Sequence, residues 1–449
     1  MQQPVKMTGF SDLPDELVLM IVAPFLGARN MVRLWRPGRS QSRSEYYYQD
    51  ERRKVIVNLS TTCRGLRRLL GGYVNEFIYL DCTFPRTMRL LRAVSGNGAA
   101  FRSTTKYHVQ IVPSKHEFDD PEDLIYIRKA ALDAGLGDEF DRICSSRLPG
   151  APFYWRKLYF MLLLILRRLV NVQSIALPEF MHDSLRVMDL NKLSLELHSL
   201  RSIHLLLHHG TVTFGTQKSR VTFIPARIRH KINDLRVHLP DVPHGFELKV
   251  LPFPMLKSLS VKGISGFDAC YSSLDRALAG LEHLETFACD EYLRNASSAK
   301  PDEIVEMLAK HNSKTLTKLV LADLAESGDV SKMRLSFRGL PNLTDLYLDM
   351  DTLIGAMGEL EFDLWASKPQ GTRHDDQLQS LRRLHVSRPV GWRVEGKLRW
   401  LEQTVAAGSF PCLRELTVDS FDRLEPNRAD VMKAGVVFYK ASSVHPGEW

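Results

Sequence analysis

The stretch LLLHHG and the residue before it place His204, His208 and His209 close together, and the chemistry open to such a group is metal ligation. Their spacing argues against it. His208 and His209 adjoin, and neighbours on a strand face opposite ways. No cysteine or second histidine pair accompanies them to complete a tetrahedral set. Two acidic groups, DMD at Asp349–Asp351 and HDD at His374–Asp376, stand alone and read as solvated loops. A glycine fingerprint between strand and helix, a P-loop, HExxH and GxSxG are all missing from the sequence, so the familiar catalytic mechanisms lack their geometry. The expectation is a non-catalytic protein with no catalytic residue, no cofactor and no metal.

Six cysteines, Cys63, Cys82, Cys144, Cys270, Cys289 and Cys412, are scattered without a CxxC pair, which suits reduced thiols in the cytosol or nucleus. The opening MQQPVKMTGF does not read as a secretory signal. LYFMLLLILRRLV, residues 158–170, is interrupted by Arg167 and Arg168. A bilayer span needs roughly 20 apolar residues, so this stretch is expected as a buried helix with no membrane role. The net charge of +8 is local, because residues 1–75 hold 12 Lys or Arg against 6 Asp or Glu. Residues 29–54 spread these charges among Ser, Gly and Gln, and Glu45–Gln49 (EYYYQ) sets three tyrosines beside them. Basic and aromatic residues together can bind nucleic acid. With no pattern to fold them, the segment reads as a solvated loop, and no nucleic-acid partner is expected.

The elements that must position any site come from repetition. From about residue 172, a pattern of apolar residues at i, i+3 and i+5 occurs nine times. The triplets are Val172/Ile175/Leu177, Leu200/Ile203/Leu205, Ile232/Leu235/Val237, Leu256/Leu259/Val261, Leu284/Phe287/Cys289, Leu316/Leu319/Leu321, Leu343/Leu346/Leu348, Leu381/Leu384/Val386 and Leu413/Leu416/Val418. Their starts lie 28, 32, 24, 28, 32, 27, 38 and 32 residues apart, near the period of leucine-rich repeats. Alternation along a strand such as LTDLYL turns Leu346 and Leu348 inward and Asp345 and Tyr347 outward. By the same parity argument Arg236 and Arg414 become candidate surface residues. Parallel strands need crossovers, and helical patterns precede several triplets: WRKLYFMLLLILRRL, YSSLDRALAGLEHL, KPDEIVEMLAKHN and RVEGKLRWLEQTVAAG. Residues 75–150 are less regular. NEFIYL and KYHVQIV read there as strands, PRTMRLLRAV and DPEDLIYIRKAALDAG as helices.

At the amino terminus, FSDLPDELVLMIVAPFLG opens a helix at Pro14, places Asp15 and Glu16 at its positive end, and stops at Gly27. Leu17, Met20, Ile21 and Phe25 fall on one apolar face of a helix too short to stand alone. Leu13, Pro14, Glu16, Leu17, Ile21, Phe25 and Leu26 resemble the first helix of an F-box, and LSTTCRGLRRLL, residues 59–70, resembles its third-helix segment. Followed by irregular leucine-rich repeats, this is similar to the F-box and leucine-rich-repeat proteins numerous in filamentous fungi.

The resemblance implies a substrate-recognition subunit of a cullin-RING (SCF-type) ubiquitin ligase. Leu13, Pro14, Leu17, Ile21, Phe25 and Leu26 would line the interface with the ligase's adaptor subunit, with Leu59, Cys63 and Leu66 beneath or beside them. The repeats would hold a substrate protein whose identity the sequence does not contain. The alternative is a repeat scaffold without a ubiquitin role, the first helix being a cap. The expected architecture is α/β. A helical F-box-like domain over 1–75, with a basic insertion at about 29–54, precedes a leucine-rich-repeat solenoid over 76–435, a curved parallel sheet with outer helices. Residues 436–449 form a tail.

Overall fold

The structure is a computed structural model that describes residues 55–62, 64–81, 83–110, 121–145, 153–178, 197–206, 229–238, 253–262, 268–290, 301–322, 336–349, 353, 378–387, 401–406, 408, 410–419 and 436–441. The chain divides into two compact units, Met1–His204 with Thr222–Ile228, and Leu205–Val221 with Arg229–Trp449. It is an α/β protein built on parallel strands.

In the first unit, residues 55–62 are helical and lead to α1, Arg64–Val74. Then follow β1 (Phe77–Asp81), α2 (Phe84–Gly96), a short 3-10 turn (Gly98–Phe101), β2 (Lys106–Gln110), α3 (Pro121–Asp133), α4 (Gly137–Ser145), α5 (Phe153–Arg168) and β3 (Ser174–Pro178). β4 starts at Ser202. β1, β2 and β3 pair in parallel, with Tyr107 opposite Ile78 and Ile175. α5 carries the long apolar run, and Leu158, Phe160 and Met161–Leu166 are all buried. That all-round burial is what its unpatterned hydrophobicity serves, and among the described residues no helix is long and apolar enough to cross a membrane. α4, which has no counterpart among the sequence expectations, rests Phe140 on Phe160 with ring centroids 5.4 Å apart. α3 ends at Gly135, whose φ of +68° lets the Leu136 amide reach back to the Ala131 carbonyl at 2.8 Å.

The second unit repeats one design. Its strands are β5 (Asp234–His238), β6 (Ser258–Lys262), β7 (Thr286–Asp290), β8 (Lys318–Ala322), β9 (Asp345–Asp349), β10 (Arg383–Ser387), β11 (Glu415–Asp419) and β12 (Val437–Ala441). They lie side by side in chain order, each parallel to the next and without offset. All nine predicted triplets fall at strands. Of their residues with described side chains, Leu413 is 7% exposed and every other one is at most 3% exposed. Leu177 and Leu205 have side chains outside the described residues. A fully buried Leu contributes about 1.5–3 kcal/mol, so these rows are the principal stabilising feature of the unit.

Between strands, α6 (Asp268–Ala279) precedes β7 and α7 (Pro301–Asn312) precedes β8, while residues 401–406 are helical before β11. α7 begins at Pro301, has Asp302 and Glu303 in its first turn and Lys310 and His311 in its last, the charge order that complements the helix dipole. Its buried side is Ile304, Val305, Leu308 and Asn312, with Met307 and His311 half-buried at its margin.

Two expectations need correction. The sequence leaves residues 436–449 as a tail, yet Val437–Ala441 is β12, paired to β11 with Phe438 opposite Leu416 and Lys440 opposite Val418. Tyr347 and Asp345 do lie on the outward side of β9 by parity, but they are only 3% and 7% exposed, so this part of the outward face is closed to solvent.

Two polar contacts fasten one repeat to the next. Buried Asn312 donates from Nδ2 to the Leu281 carbonyl at 2.6 Å. Asn312→Ala leaves that carbonyl unmade in the core, and chemical denaturation is expected to show a loss of about 1–3 kcal/mol. On the helices, Asp275 of α6 receives His311 Nε2 at 2.8 Å and Lys310 Nζ at 3.1 Å. Burial works against its charge, but the hydrogen bonds from His311 and Lys310 outweigh that and hold the carboxyl below its ordinary range. A carboxyl depressed in the folded state stabilises above its unfolded pKa of about 3.9 and loses that contribution as pH falls through the folded value. Urea denaturation should therefore find wild type more stable than Asp275→Asn near neutrality, with the difference vanishing in acid.

Candidate functional site

Alternation gives the second unit two faces. Leucine rows occupy one. On the other, besides the strand-end residues His238, Lys262, Asp290, Ala322, Asp349, Ser387 and Asp419, lie two rows fixed by the strand register, the first being Asp234, Ser258, Thr286, Lys318, Asp345, Arg383 and Glu415. The second is Arg236, Ser260, Ala288, Val320, Tyr347, His385 and Thr417. These are the side chains that the repeated fold presents in order, and they form the candidate site.

The second row changes character along the sheet. Arg236, Ser260 and Ala288 are half-buried. Beyond them Val320 is 2% exposed, Tyr347 3%, His385 0% and Thr417 8%. Tyr347 stacks on His385 with centroids 4.3 Å apart and planes at 21°, and it packs on Val320 with Ala288 against the pair. That closed apolar block flanks the open part.

The first row carries the charges. Asp345 pairs with Arg383 and accepts the Thr344 hydroxyl at 2.6 Å. Asp234 takes Arg236 at 3.3 Å. Lys318, next to Asp345 across the ladder, makes no ion pair within 4 Å with any described residue. Burial lowers its pKa to about 8; the nearby Asp345 opposes the shift, and Arg383 and Arg236 add to it. A lysine that sheds its proton near pH 8 is the most perturbed cation of this face. Such a group can act as a counter-ion or as an amine nucleophile.

The residues expected to contact an adaptor fare differently. Leu13, Pro14, Leu17, Ile21, Phe25, Leu26 and Cys63 lie outside the described residues. Leu66 is buried with Ile56 and Leu70, and Leu59 packs against that cluster with Leu69 and Val74. Leu66 thus joins α1 to the preceding helical turn. Of the surface candidates, Arg236 lies on the outward face, Tyr347 on its closed part, and exposed Arg414 just before β11. His204 is on β4, its ring 5.4 Å from that of His108 on β2, while His208, His209 and the HDD group lie outside the described residues. Asp349 ends β9 and Asp351 lies outside. Among the described residues no group of three or more His, Cys, Asp or Glu is placed to hold a metal ion.

Lys318, Arg383 and His385 have no motif that marks them in the sequence, and parity places Asp345 outward without marking it as a site residue. A signal for the first row exists: the residue before the central apolar position is polar in every triplet, from Ser174 and Ser202 to Glu415. Comparison of the sequence with protein-family models and with curated proteins found no match to either.

The perturbed lysine is directly measurable. In trace acetylation read by mass spectrometry across pH, Lys318 is expected to reach half its maximal reactivity near pH 8, whereas ordinary lysines titrate near 10.4.

Proposed function

We propose that this chain is the substrate-recognition subunit of a cullin-RING ubiquitin ligase of the SCF type, with no catalytic role of its own. Leu13, Pro14, Leu17, Ile21, Phe25 and Leu26 dock on the adaptor subunit, supported by the segment containing Leu59, Cys63 and Leu66. The second unit, read as a leucine-rich-repeat solenoid, holds the substrate protein on its outward strand face. One observation carries the reading. The F-box-like sequence LPDEL precedes a repeated parallel sheet whose polar rows are held in fixed order by register. Repeat sheets of this kind are binding surfaces, because each strand adds side chains at set positions without altering the core beneath. The LSTTCRGLRRLL segment is amphipathic and helical where described, as a small adaptor-docking domain requires.

The purified chain is expected to capture the purified cullin-ligase adaptor, and Leu17→Asp with Ile21→Asp is expected to abolish capture with no change in circular dichroism or melting. Failure of the intact chain to bind the adaptor overturns the ubiquitin reading. A chain lacking residues 1–75 separates the same alternatives: under the proposal it stays folded, and loss of solubility identifies the amino terminus as a cap on the repeats.

A further inference from the structure

On the open part of the outward face, the first two outward positions of β6 and β7 carry small side chains, Ser258, Ser260, Thr286 and Ala288, all half-buried, and Lys262 and Asp290 end the two strands on the same parity. Long charged residues stand on either side, Asp234 and Arg236 on β5 and Lys318 on β8. At a strand spacing of about 4.8 Å, those two walls are roughly 14 Å apart, with a floor two strands wide between them. The closed block of Val320 and Tyr347 borders the floor beside Lys318.

The polar groups of this strip divide into those paired with another side chain and those that are not. Both carboxylates are held by arginine, Asp234 by Arg236 and Asp345 by Arg383. Lys318 has no ion pair, and the hydroxyls of Ser258, Ser260 and Thr286 make no hydrogen bond with any described residue. A cation and three hydroxyl donors are thus left along the short side chains of Ser258, Ser260, Thr286 and Ala288. We propose that this strip binds an acidic side chain of the protein partner, with Lys318 as counter-cation and the Ser258, Ser260 and Thr286 hydroxyls as donors to its carboxylate.

Charge arithmetic selects a carboxylate. Arg236 is paired with Asp234 and Arg383 with Asp345, which leaves Lys318 as the cation beside the strip that one carboxylate neutralises. A polyanion such as nucleic acid or polyphosphate meets Asp234, Asp345 and Glu415 in the same row and is repelled. The apolar wall raises the strength of the Lys318–carboxylate pair by excluding water, and the incoming charge relieves the burial that lowers the amine's proton affinity. The inference rests on the outward face being the recognition surface, but not on the adaptor.

The test uses the full chain and a fluorescein-labelled short peptide of alternating Glu and Gly, with a Gln-for-Glu peptide as neutral probe, read by anisotropy at low salt. The wild type is expected to bind the acidic peptide and not the neutral one. Lys318→Met should weaken binding at least about tenfold. Ser260→Leu, which fills the floor and keeps the charge, should do the same. Lys314→Met removes the same charge from an exposed position and should leave binding unchanged. The wild type should lose affinity as pH rises through about 8, where Lys318 sheds its proton, while Lys318→Arg should retain it. No binding by the wild type, or equal binding by Lys318→Met and Ser260→Leu, overturns the proposal. Adaptor capture by Lys318→Met, which is expected to be intact, reports separately on the ubiquitin reading.

Discussion

At the entrance of nine strands one carbonyl accepts two amides from the following repeat, and the order of everything else follows from this contact. Asn233 accepts Lys257 and Ser258 at 2.9 and 2.8 Å, Lys257 accepts Glu285 and Thr286, and Glu285 accepts Thr317 and Lys318. Thr317, Thr344 and Arg382 continue the series for the next strands. In the first unit Glu76, Thr105 and Gln173 do the same. A slip of one residue on a strand exchanges its faces, so a contact that fixes the first residue of each strand fixes which side chains are buried. It explains why gaps from 24 to 38 residues still deliver strands in step: only the entrance has to match.

The register then works on both faces. On one it stacks Leu235, Leu259, Phe287, Leu319, Leu346, Leu384 and Leu416 into a row from which water is excluded. On the other it sets one charged or hydroxyl residue per strand beside its equivalent in the next, so that Asp345 meets Arg383 and the Ser258–Thr286 strip runs beside Lys318. The pattern of charge is therefore a product of strand pairing, and no helix is required to build it. The helices meanwhile close the crossovers, with Asp275, Lys310 and His311 joining α6 to α7 at a distance from the outward face.

What was legible in the sequence is what the core requires. Triplets from Val172 to Val418 were visible because an apolar residue recurs at each of three buried positions. The strands without a triplet show why others were harder to see. At β1 and β2 the first position is filled by Asn75 and Thr104, and Thr104 donates its hydroxyl to the Asn75 carbonyl at 2.6 Å, so a hydrogen bond stands where the nine triplets use an aliphatic residue. At β12 the corresponding residues are Gly435, Phe438 and Lys440, and an outermost strand tolerates a lysine that an inner one does not. A turn position outside the triplets belongs to the same core: Leu197, Phe253, Leu340, Leu378 and Phe410 each accept an amide three residues on and are themselves buried. The candidate site was less legible because strand parity says which side of the sheet a residue takes and nothing about what packs over it.

Tyr347 shows the difference. Parity places it outward with Arg236, yet Tyr347 is sealed between Val320 and His385 while Arg236 remains half-buried. The outward face thus has a closed end at β8–β11 and an open end at β5–β7, although the backbone is the same throughout. An apolar block on one side and small hydroxyl residues on the other place Lys318 at a boundary, where it is desolvated enough for its proton affinity to fall and open enough for a ligand to restore it. A cation fully in water gains little from an added carboxylate, and one fully enclosed cannot receive it. The boundary position is the one at which a single charge discriminates between partners, and in this chain it results from substituting side chains along a ladder that the repeated strand entrance keeps in step.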